Sequence, residues 1–105
     1  MNELKAFEKK ENYTLYKGDV LEILKQLPSE SVDMIVTSPP YNINLKDRKD
    51  TNIATYDTWE DNMEWDEYCK WQISVCNELY RIVRWGGLCS IIIKTSSKMS
   101  NIETL

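Results

Sequence analysis

The chain has 105 residues, a net charge of −4 and no histidine. A chain of this length forms at most one domain, and without histidine it holds neither a histidine-centred catalytic triad nor a histidine-ligated metal. The acidic balance argues against strong nucleic-acid binding by this chain alone, because phosphate contacts need a basic face. Apolar residues make up 42% and charged residues 29% of the chain, which argues against disordered and disulfide-scaffold classes.

The chain shows no sign of a membrane or secreted protein. Its longest apolar stretch, 88–93, is far shorter than the ~20 residues that a membrane span needs, and its N-terminus has no apolar signal core. The cysteines are odd in number and lack CxxC spacing, which predicts buried, reduced thiols: Cys69, Cys76 and Cys89. We therefore expect a cytoplasmic protein without membrane contact.

The first third of the chain predicts a strand, a helix and a second strand. Residues 1–12 are polar and predict a loose arm, which a short strand follows at 14–16. Asp19 is a good helix N-cap with an acid three residues on, as in a capping box, and Pro28 ends this helix. Residues 31–37 are apolar and partly β-branched, which is typical of a buried strand.

The remainder predicts a loop, a long helix and a third strand. Residues 42–58 are polar and predict a long loop, and Asp61 with Glu64 predicts a second capping box. Apolar residues then recur at helical spacing and predict one buried helical face: Trp65, Tyr68, Cys69, Ile73, Cys76, Leu79, Tyr80 and Val83. Gly86-Gly87 is predicted to end this helix before a buried strand over 88–93.

The alternation of strands and helices predicts the fold class. The order strand, helix, strand, loop, helix, strand is typical of an α/β fold with a parallel sheet. Ligands in such folds bind beyond the carboxyl ends of the strands. Gly18-Asp19 and Ser38-Pro39-Pro40-Tyr41 both lie at such ends, which makes them the candidate functional residues.

Ser38-Pro39-Pro40-Tyr41 carries the most specific signal. It resembles the signature (Asp/Asn/Ser)-Pro-Pro-(Tyr/Phe/Trp) of the amino-group DNA methyltransferases, which methylate exocyclic nitrogens of cytosine or adenine. Residues 18–28 and 31–37 resemble the stretch before this signature in the permuted class, where the catalytic motif precedes the cofactor-binding part, and the whole resemblance covers roughly residues 13–94. Residues 79–87 are similar to the family's Arg-Val-Leu-Lys-Pro-Gly-Gly segment, with Arg84 in place of lysine and Trp85 in place of proline.

The resemblance implies a partial Rossmann-like methyltransferase fold, with residues 1–105 as one partial domain on the catalytic side. It implies S-adenosylmethionine as cofactor, contacted by Asp19, and double-stranded DNA as partner, without a metal. The catalytic residues it implies are Ser38, Pro39, Pro40 and Tyr41. Glycine occurs only at 18, 86 and 87, so we expect a missing C-terminal half or a complementing chain to supply the family's glycine-rich cofactor loop.

These residue types suit methylation of an amine. An exocyclic base amine is a poor nucleophile because its lone pair is delocalised into the ring. The Ser38 hydroxyl and the Pro39 carbonyl can each accept a hydrogen bond from one N–H of the amine, which localises that lone pair on the nitrogen. Tyr41 offers an aromatic face on which a flipped base can stack. Serine in the first position favours cytosine N4 in this family, with adenine N6 as the alternative. No cysteine follows a proline, which argues against methylation at cytosine C5.

Several alternatives stay open. Methyltransferases that act on RNA or on protein glutamine often carry Asn-Pro-Pro-Tyr, and the missing glycine-rich loop fits an inactive remnant or a small binding module. Asp19 also has two compatible roles, as a helix N-cap and as an acceptor for the adenine amino group of the cofactor.

Overall fold

The computed structural model describes residues 4–42 and 62–93. Its elements are, in chain order, β1 (Glu8–Lys9), β2 (Thr14–Leu15), α1 (Val20–Gln26), β3 (Val32–Thr37), α2 (Trp65–Ile82) and β4 (Val83–Ile91). Strands β1 and β2 pair antiparallel, whereas β3 and β4 pair parallel across the α2 crossover. The predicted α/β class with a parallel strand pair is confirmed, and the described strands form two separate pairs instead of one Rossmann-like sheet.

The parallel pair places the end of β3 beside the end of β4. Ile35 lies opposite Cys89 and Thr37 opposite Ile91. The Ile92 amide then donates to the Thr37 carbonyl at 2.8 Å, so the pairing continues one residue beyond β4. The chain therefore leaves β3 from a fixed position.

Helix α1 begins and ends where the sequence predicts. The Glu22 amide donates to Asp19 Oδ2 at 3.2 Å, which satisfies one of the unpaired amides of the first turn. The helix ends at Gln26, two residues before Pro28. The predicted N-cap role of Asp19 is confirmed.

A small core joins the two helices. Its buried members are Leu24 of α1 and Val75, Leu79 and Ile82 of α2, with partly buried residues packed around them. Beside this core, the Arg81 guanidinium donates to the Leu24 carbonyl at 2.7 Å and to the Leu27 carbonyl at 2.8 Å. The Leu24 carbonyl also accepts from the Leu27 amide at 3.1 Å, so Arg81 adds a second hydrogen bond there and caps the end of α1 at Leu27.

The prediction of a loose N-terminal arm is wrong for the residues around β1. The Phe7 amide donates to the Leu15 carbonyl at 2.7 Å, and the Lys10 amide donates to the Tyr13 carbonyl at 2.8 Å. Asn12 lies between them in the bend, where asparagine is favoured. The polar arm therefore forms a short hairpin held by backbone hydrogen bonds.

The predicted buried face of α2 is also wrong in most positions. Leu79 is buried as expected, but Ile73 is 60% and Tyr80 81% exposed. The face that packs on α1 contains Val75 and Ile82, each one residue before a position of the predicted face, Cys76 and Val83. Both faces are apolar, and the packing of α1 decides which one is covered. Contrary to the buried thiols expected, Cys69 is half-buried and Cys76 and Cys89 are exposed.

The start of α2 differs from the capping-box prediction. Helix α2 begins at Trp65 with Glu64 as its N-cap, and the Glu64 side chain makes no capping hydrogen bond. Asp61, the predicted cap, lies outside the described residues, as do residues 43–58 of the predicted loop.

Gly86-Gly87 does not end α2, because β4 begins directly after Ile82. The two glycines lie where the pairing of β3 with β4 shifts register. Gly86 has a φ of +76°, and a Cβ on Gly87 would lie 2.8 Å from the Asp33 carbonyl oxygen. Glycine is therefore required by this irregular stretch of strand and not by a helix stop.

The strands predicted as buried are covered on one face only. Met34 is 56% and Val36 62% exposed, and Leu88 on the neighbouring strand is exposed as well. The parallel pair thus presents an apolar face that no described element covers.

Replacing Gly87 by alanine should destabilise the β3–β4 pair. The added Cβ would lie 2.7–2.9 Å from Val83 and from two backbone carbonyl oxygens, and overpacking of this kind typically lowers the free energy of unfolding by about 1–3 kcal/mol. Urea denaturation followed by circular dichroism measures the change. Ser90→Ala, at an exposed position of the same strand, is the control, and equal stability of the two variants would contradict this account of the glycine.

The isolated 105-residue chain should self-associate through its exposed apolar faces. Ile73→Lys should raise the monomer fraction, because it places a charge on the uncovered face of α2. Asn77→Lys adds the same charge at an exposed polar position of this helix and should change little. Sedimentation velocity over a concentration series measures the effect, and a wild-type chain that stays monomeric throughout would refute the expectation.

Candidate functional site

Two sequence-predicted stretches meet in one cavity. The residues before and at the start of α1 and those after β3 border a space of about 310 Å³, closed on a third side by α2. Its lining residues are Gly18, Asp19, Val20, Thr37, Ser38, Pro39, Pro40, Trp71 and Val75. Both stretches were predicted as candidates because each follows a strand, and the packing of α1 on α2 places them at one cavity.

Tyr41 does not line that cavity but an apolar groove on the other side of the motif. The groove measures about 440 Å³ and runs along the uncovered face of α2. Its lining residues are Pro39, Tyr41, Trp65, Tyr68, Cys69, Gln72, Ile73, Cys76, Ile91 and Ile93. Pro39 borders both spaces, so the motif forms a ridge between the cavity with Asp19 and the groove with Tyr41.

The Ser38 hydroxyl is exposed and contacts Tyr41. Ser38 Oγ lies 2.8 Å from the Tyr41 hydroxyl oxygen, which lies 3.5 Å from the Ile92 carbonyl oxygen. A carbonyl oxygen only accepts, so when Tyr41 donates to Ile92 the Ser38 hydroxyl is the donor in the shorter contact. Ser38 Oγ then keeps a lone pair for a donor from the cavity.

The two proline carbonyls of the motif have different surroundings. The Pro40 carbonyl accepts from the Tyr68 hydroxyl at 2.5 Å, and Gln72 Nε2 donates to the same hydroxyl oxygen at 2.9 Å. Among the described residues, no hydrogen bond reaches the Pro39 carbonyl. The arrangement thus offers two acceptors on one motif, Ser38 Oγ and the Pro39 oxygen.

Tyr68 and Gln72 were missed as site residues by sequence reasoning. The sequence predicts Tyr68 on the buried face of the helix and indicates no role for Gln72. Their i, i+4 spacing places both polar ends on one side of the helix, which is the signal that could have indicated a shared hydrogen bond. Their partner in the motif could not be read from spacing.

Asn42, directly after the motif, joins the motif to the start of α2. Its Nδ2 donates to the Met63 carbonyl at 2.8 Å, and the Met63 amide donates to Asn42 Oδ1 at 2.7 Å. Asn42 has a φ of +58°, a left-handed conformation that asparagine tolerates better than most residues. The Asn42 side-chain amide thus pairs with both backbone groups of Met63, as a backbone peptide group would in a strand pair.

Two other kinds of site have no counterpart in residues 4–42 and 62–93. These residues contain no group of three or more carboxylate and thiol side chains placed to hold a metal ion. None of their helices is both long and apolar enough to cross a membrane.

Comparison with known families identifies a DNA methylase family. Residues 32–102 match the model of the N6/N4 methyltransferases, described as DNA methylase. The match begins at β3 and includes Ser38-Pro39-Pro40-Tyr41, the α2 crossover and β4.

Curated relatives agree with this match. The chain is 35% identical over 82 residues to the type II methyltransferase M.BglII of Bacillus subtilis, covering 78% of the chain and 19% of that protein. It is 35% identical over 100 residues to the type II methyltransferase M.MjaVI of Methanocaldococcus jannaschii, covering 95% and 46%. It is 31% identical over 84 residues to the DNA adenine methyltransferase YhdJ of Escherichia coli, covering 80% and 26%. The chain therefore spans less than half of each of these relatives.

Replacing Asn42 should release Met63 from the motif. Asn42→Gly keeps a residue suited to the positive φ but removes both side-chain hydrogen bonds, whereas Asn42→Ala also introduces backbone strain. We expect faster hydrogen exchange of the Met63 amide in both variants and a larger loss of stability with alanine. Exchange measured by NMR reports the first effect, and denaturation reports the second. Unchanged exchange at Met63 in the glycine variant would show that the side-chain bonds do not hold this contact.

Proposed function

The chain belongs to the family of N6 and N4 DNA methylases, and on this premise we propose that it is the catalytic-side segment of an enzyme that methylates an exocyclic amine of a DNA base. One observation carries the proposal. Asp19 and Ser38-Pro39-Pro40, which the resemblance assigns to cofactor and substrate, line a single cavity. The whole enzyme's activity is part of the proposal, because the chain spans less than half of its relatives.

Ser38 and Pro39 are the proposed acceptors for the two amine hydrogens. The two oxygens belong to consecutive residues. Hydrogen bonds from the described residues leave each of them able to accept a further one. Hydrogen bonds from both amine N–H groups to these oxygens pull the nitrogen toward a tetrahedral shape. The nitrogen lone pair is then localised and can attack the methyl carbon. The lone pair would form the new N–C bond while the methyl–sulfur bond of the donor breaks and its electron pair leaves on sulfur, and the proton that the nitrogen loses would pass to solvent. No covalent bond forms between the chain and the base.

Asp19 is the proposed contact for the cofactor. Its Oδ2 accepts from the Glu22 amide, while no described residue donates to Oδ1. Asp19 lines the cavity, and a carboxylate oxygen with no donor from the described residues suits an adenine amino group, so the structural and cofactor roles are compatible. When bound, S-adenosylmethionine supplies an electrophilic methyl group on sulfur. The Asp19 carboxylate suits the adenosyl end of this cofactor. The described glycines form no glycine-rich loop that could contact its methionine end.

Tyr41 is the proposed stacking surface for a base extruded from the duplex. Tyr41 lines the apolar groove, and its hydroxyl oxygen lies 2.8 Å from Ser38 Oγ. Stacking on an aromatic ring contributes about 1–3 kcal/mol per base, comparable to the few kcal/mol that extrusion requires. Stacking on the Tyr41 ring would therefore offset much of the free-energy cost of extruding the base, and it would do so next to the two proposed acceptors.

Cytosine N4 is the proposed target, with adenine N6 as the alternative. Serine in the first motif position supports cytosine, whereas one relative is named for adenine. Duplex DNA is the proposed substrate, as in restriction-modification. The net charge of −4 implies that the basic contacts to DNA phosphates come mainly from parts outside this chain.

The test joins the chain, in cis or in trans, to the remaining part of a type II relative. The complemented enzyme should methylate duplex DNA, and mass spectrometry of the digested product should find N4-methylcytosine. Ser38→Ala should lower kcat about 10- to 100-fold, because an unmade hydrogen bond costs about 1–3 kcal/mol. Ser74→Ala, on the exposed side of α2, is the matched control.

Each product has a stated meaning. N6-methyladenine would keep the mechanism and change the target, and 5-methylcytosine would refute the mechanism. Absence of methylation, while the relative's own segment restores activity, would indicate an inactive remnant.

A further inference from the structure

A relay of two hydrogen bonds connects α2 to the catalytic motif. Gln72 Nε2 donates to the Tyr68 hydroxyl oxygen at 2.9 Å, and that hydroxyl donates to the Pro40 carbonyl at 2.5 Å. The directions are fixed, because an amide nitrogen of this kind only donates and a carbonyl oxygen only accepts. All three residues are half-buried, so water competes less for these bonds than it does at the surface.

We propose that Tyr68, oriented by Gln72, is a positioning residue that determines which proline carbonyl of the motif faces the substrate amine. The inference rests on the proposed function of Ser38 and Pro39. Tyr68 engages the Pro40 oxygen, and the Pro39 oxygen is left to accept from the base.

The need for such a residue follows from the geometry of proline. Each pyrrolidine ring fixes its own φ, and a proline also restricts ψ of the residue before it. The direction of the Pro39 carbonyl is therefore limited by Pro40. Pro40 is followed by tyrosine, so nothing in the local chain limits its ψ in the same way. The Tyr68 hydrogen bond acts on the one carbonyl whose direction the prolines leave variable.

Holding the Pro40 carbonyl also orients Tyr41. The peptide unit between them is planar, so a fixed carbonyl oxygen fixes the plane in which the Tyr41 amide lies. The direction in which the Tyr41 side chain leaves the backbone is then constrained. Because the Tyr41 hydroxyl lies 2.8 Å from Ser38 Oγ, this constraint reaches the other proposed acceptor.

The relay starts from a firmly packed part of the molecule. Val75 and Leu79, further along α2, are buried in the core, and Arg81 joins the same helix to α1. Tyr68 is 28 residues from Pro40 in sequence, so the bond ties the motif to the helix that forms one wall of the Asp19 cavity.

The structural arm of the test uses the 105-residue chain and NMR. Tyr68→Phe removes only the hydroxyl, and the Pro40 carbonyl carbon signal should shift upfield while the Pro39 signal stays in place. Tyr80→Phe removes the same atom from an exposed tyrosine of the same helix and should shift neither. Gln72→Leu keeps the Tyr68 hydroxyl and should give a smaller shift. An unmoved Pro40 signal in Tyr68→Phe would overturn the proposal.

The kinetic arm uses the chain complemented with the remaining part of a relative. Tyr68→Phe should lower kcat about 3- to 10-fold with KM for DNA unchanged, as expected for the loss of one positioning hydrogen bond. Tyr80→Phe should change neither. A higher KM with unchanged kcat would contradict a positioning role in the chemical step. If the unmodified complemented enzyme transfers no methyl group, the proposed function fails, and the carbonyl shift alone decides whether Tyr68 holds the motif.

Discussion

The contact between the two helices determines the rest of this structure. Helix α1 has only seven residues, too few to persist alone in water. Leu24 packs into the core with residues of α2, and Arg81 binds the carbonyls at the end of α1. This contact fixes where α1 begins, and thereby where Asp19 lies relative to Ser38. The cavity is a product of helix packing more than of the loops that line it.

The parts of the fold that depend on local signals were predictable from the sequence. Asp19 caps α1 because its side chain reaches an amide three residues away, a relation that spacing alone reveals. The strand before Ser38 ends at two prolines for an equally local reason. Asp19 and the motif were each predictable as candidates, since both follow strands, whereas their meeting at one cavity depends on the packing of α1 on α2.

Features that depend on a distant partner were not predictable in the same way. Helix α2 is apolar on two faces, and only the position of α1 decides that Val75 and not Ile73 is buried. Gly87 suggests a helix stop by sequence, but the Asp33 carbonyl of the neighbouring strand is what requires it. Tyr68 reaches Pro40 across 28 residues, a distance at which periodicity carries no information about partners.

Pro39 borders both the cavity with Asp19 and the groove with Tyr41, which has a consequence for how such an enzyme can diversify. In the proposed enzyme the cavity serves the methyl donor and the amine that receives the methyl group, whereas the groove serves the stacked ring of the base. A mutation that reshapes the ridge between them alters both walls at once. Changes in base preference would therefore accumulate at peripheral positions such as Trp65 and Ile73, which line only the groove, leaving the donor side untouched. Relatives with different target bases would share the ridge and differ along the helix face beside it.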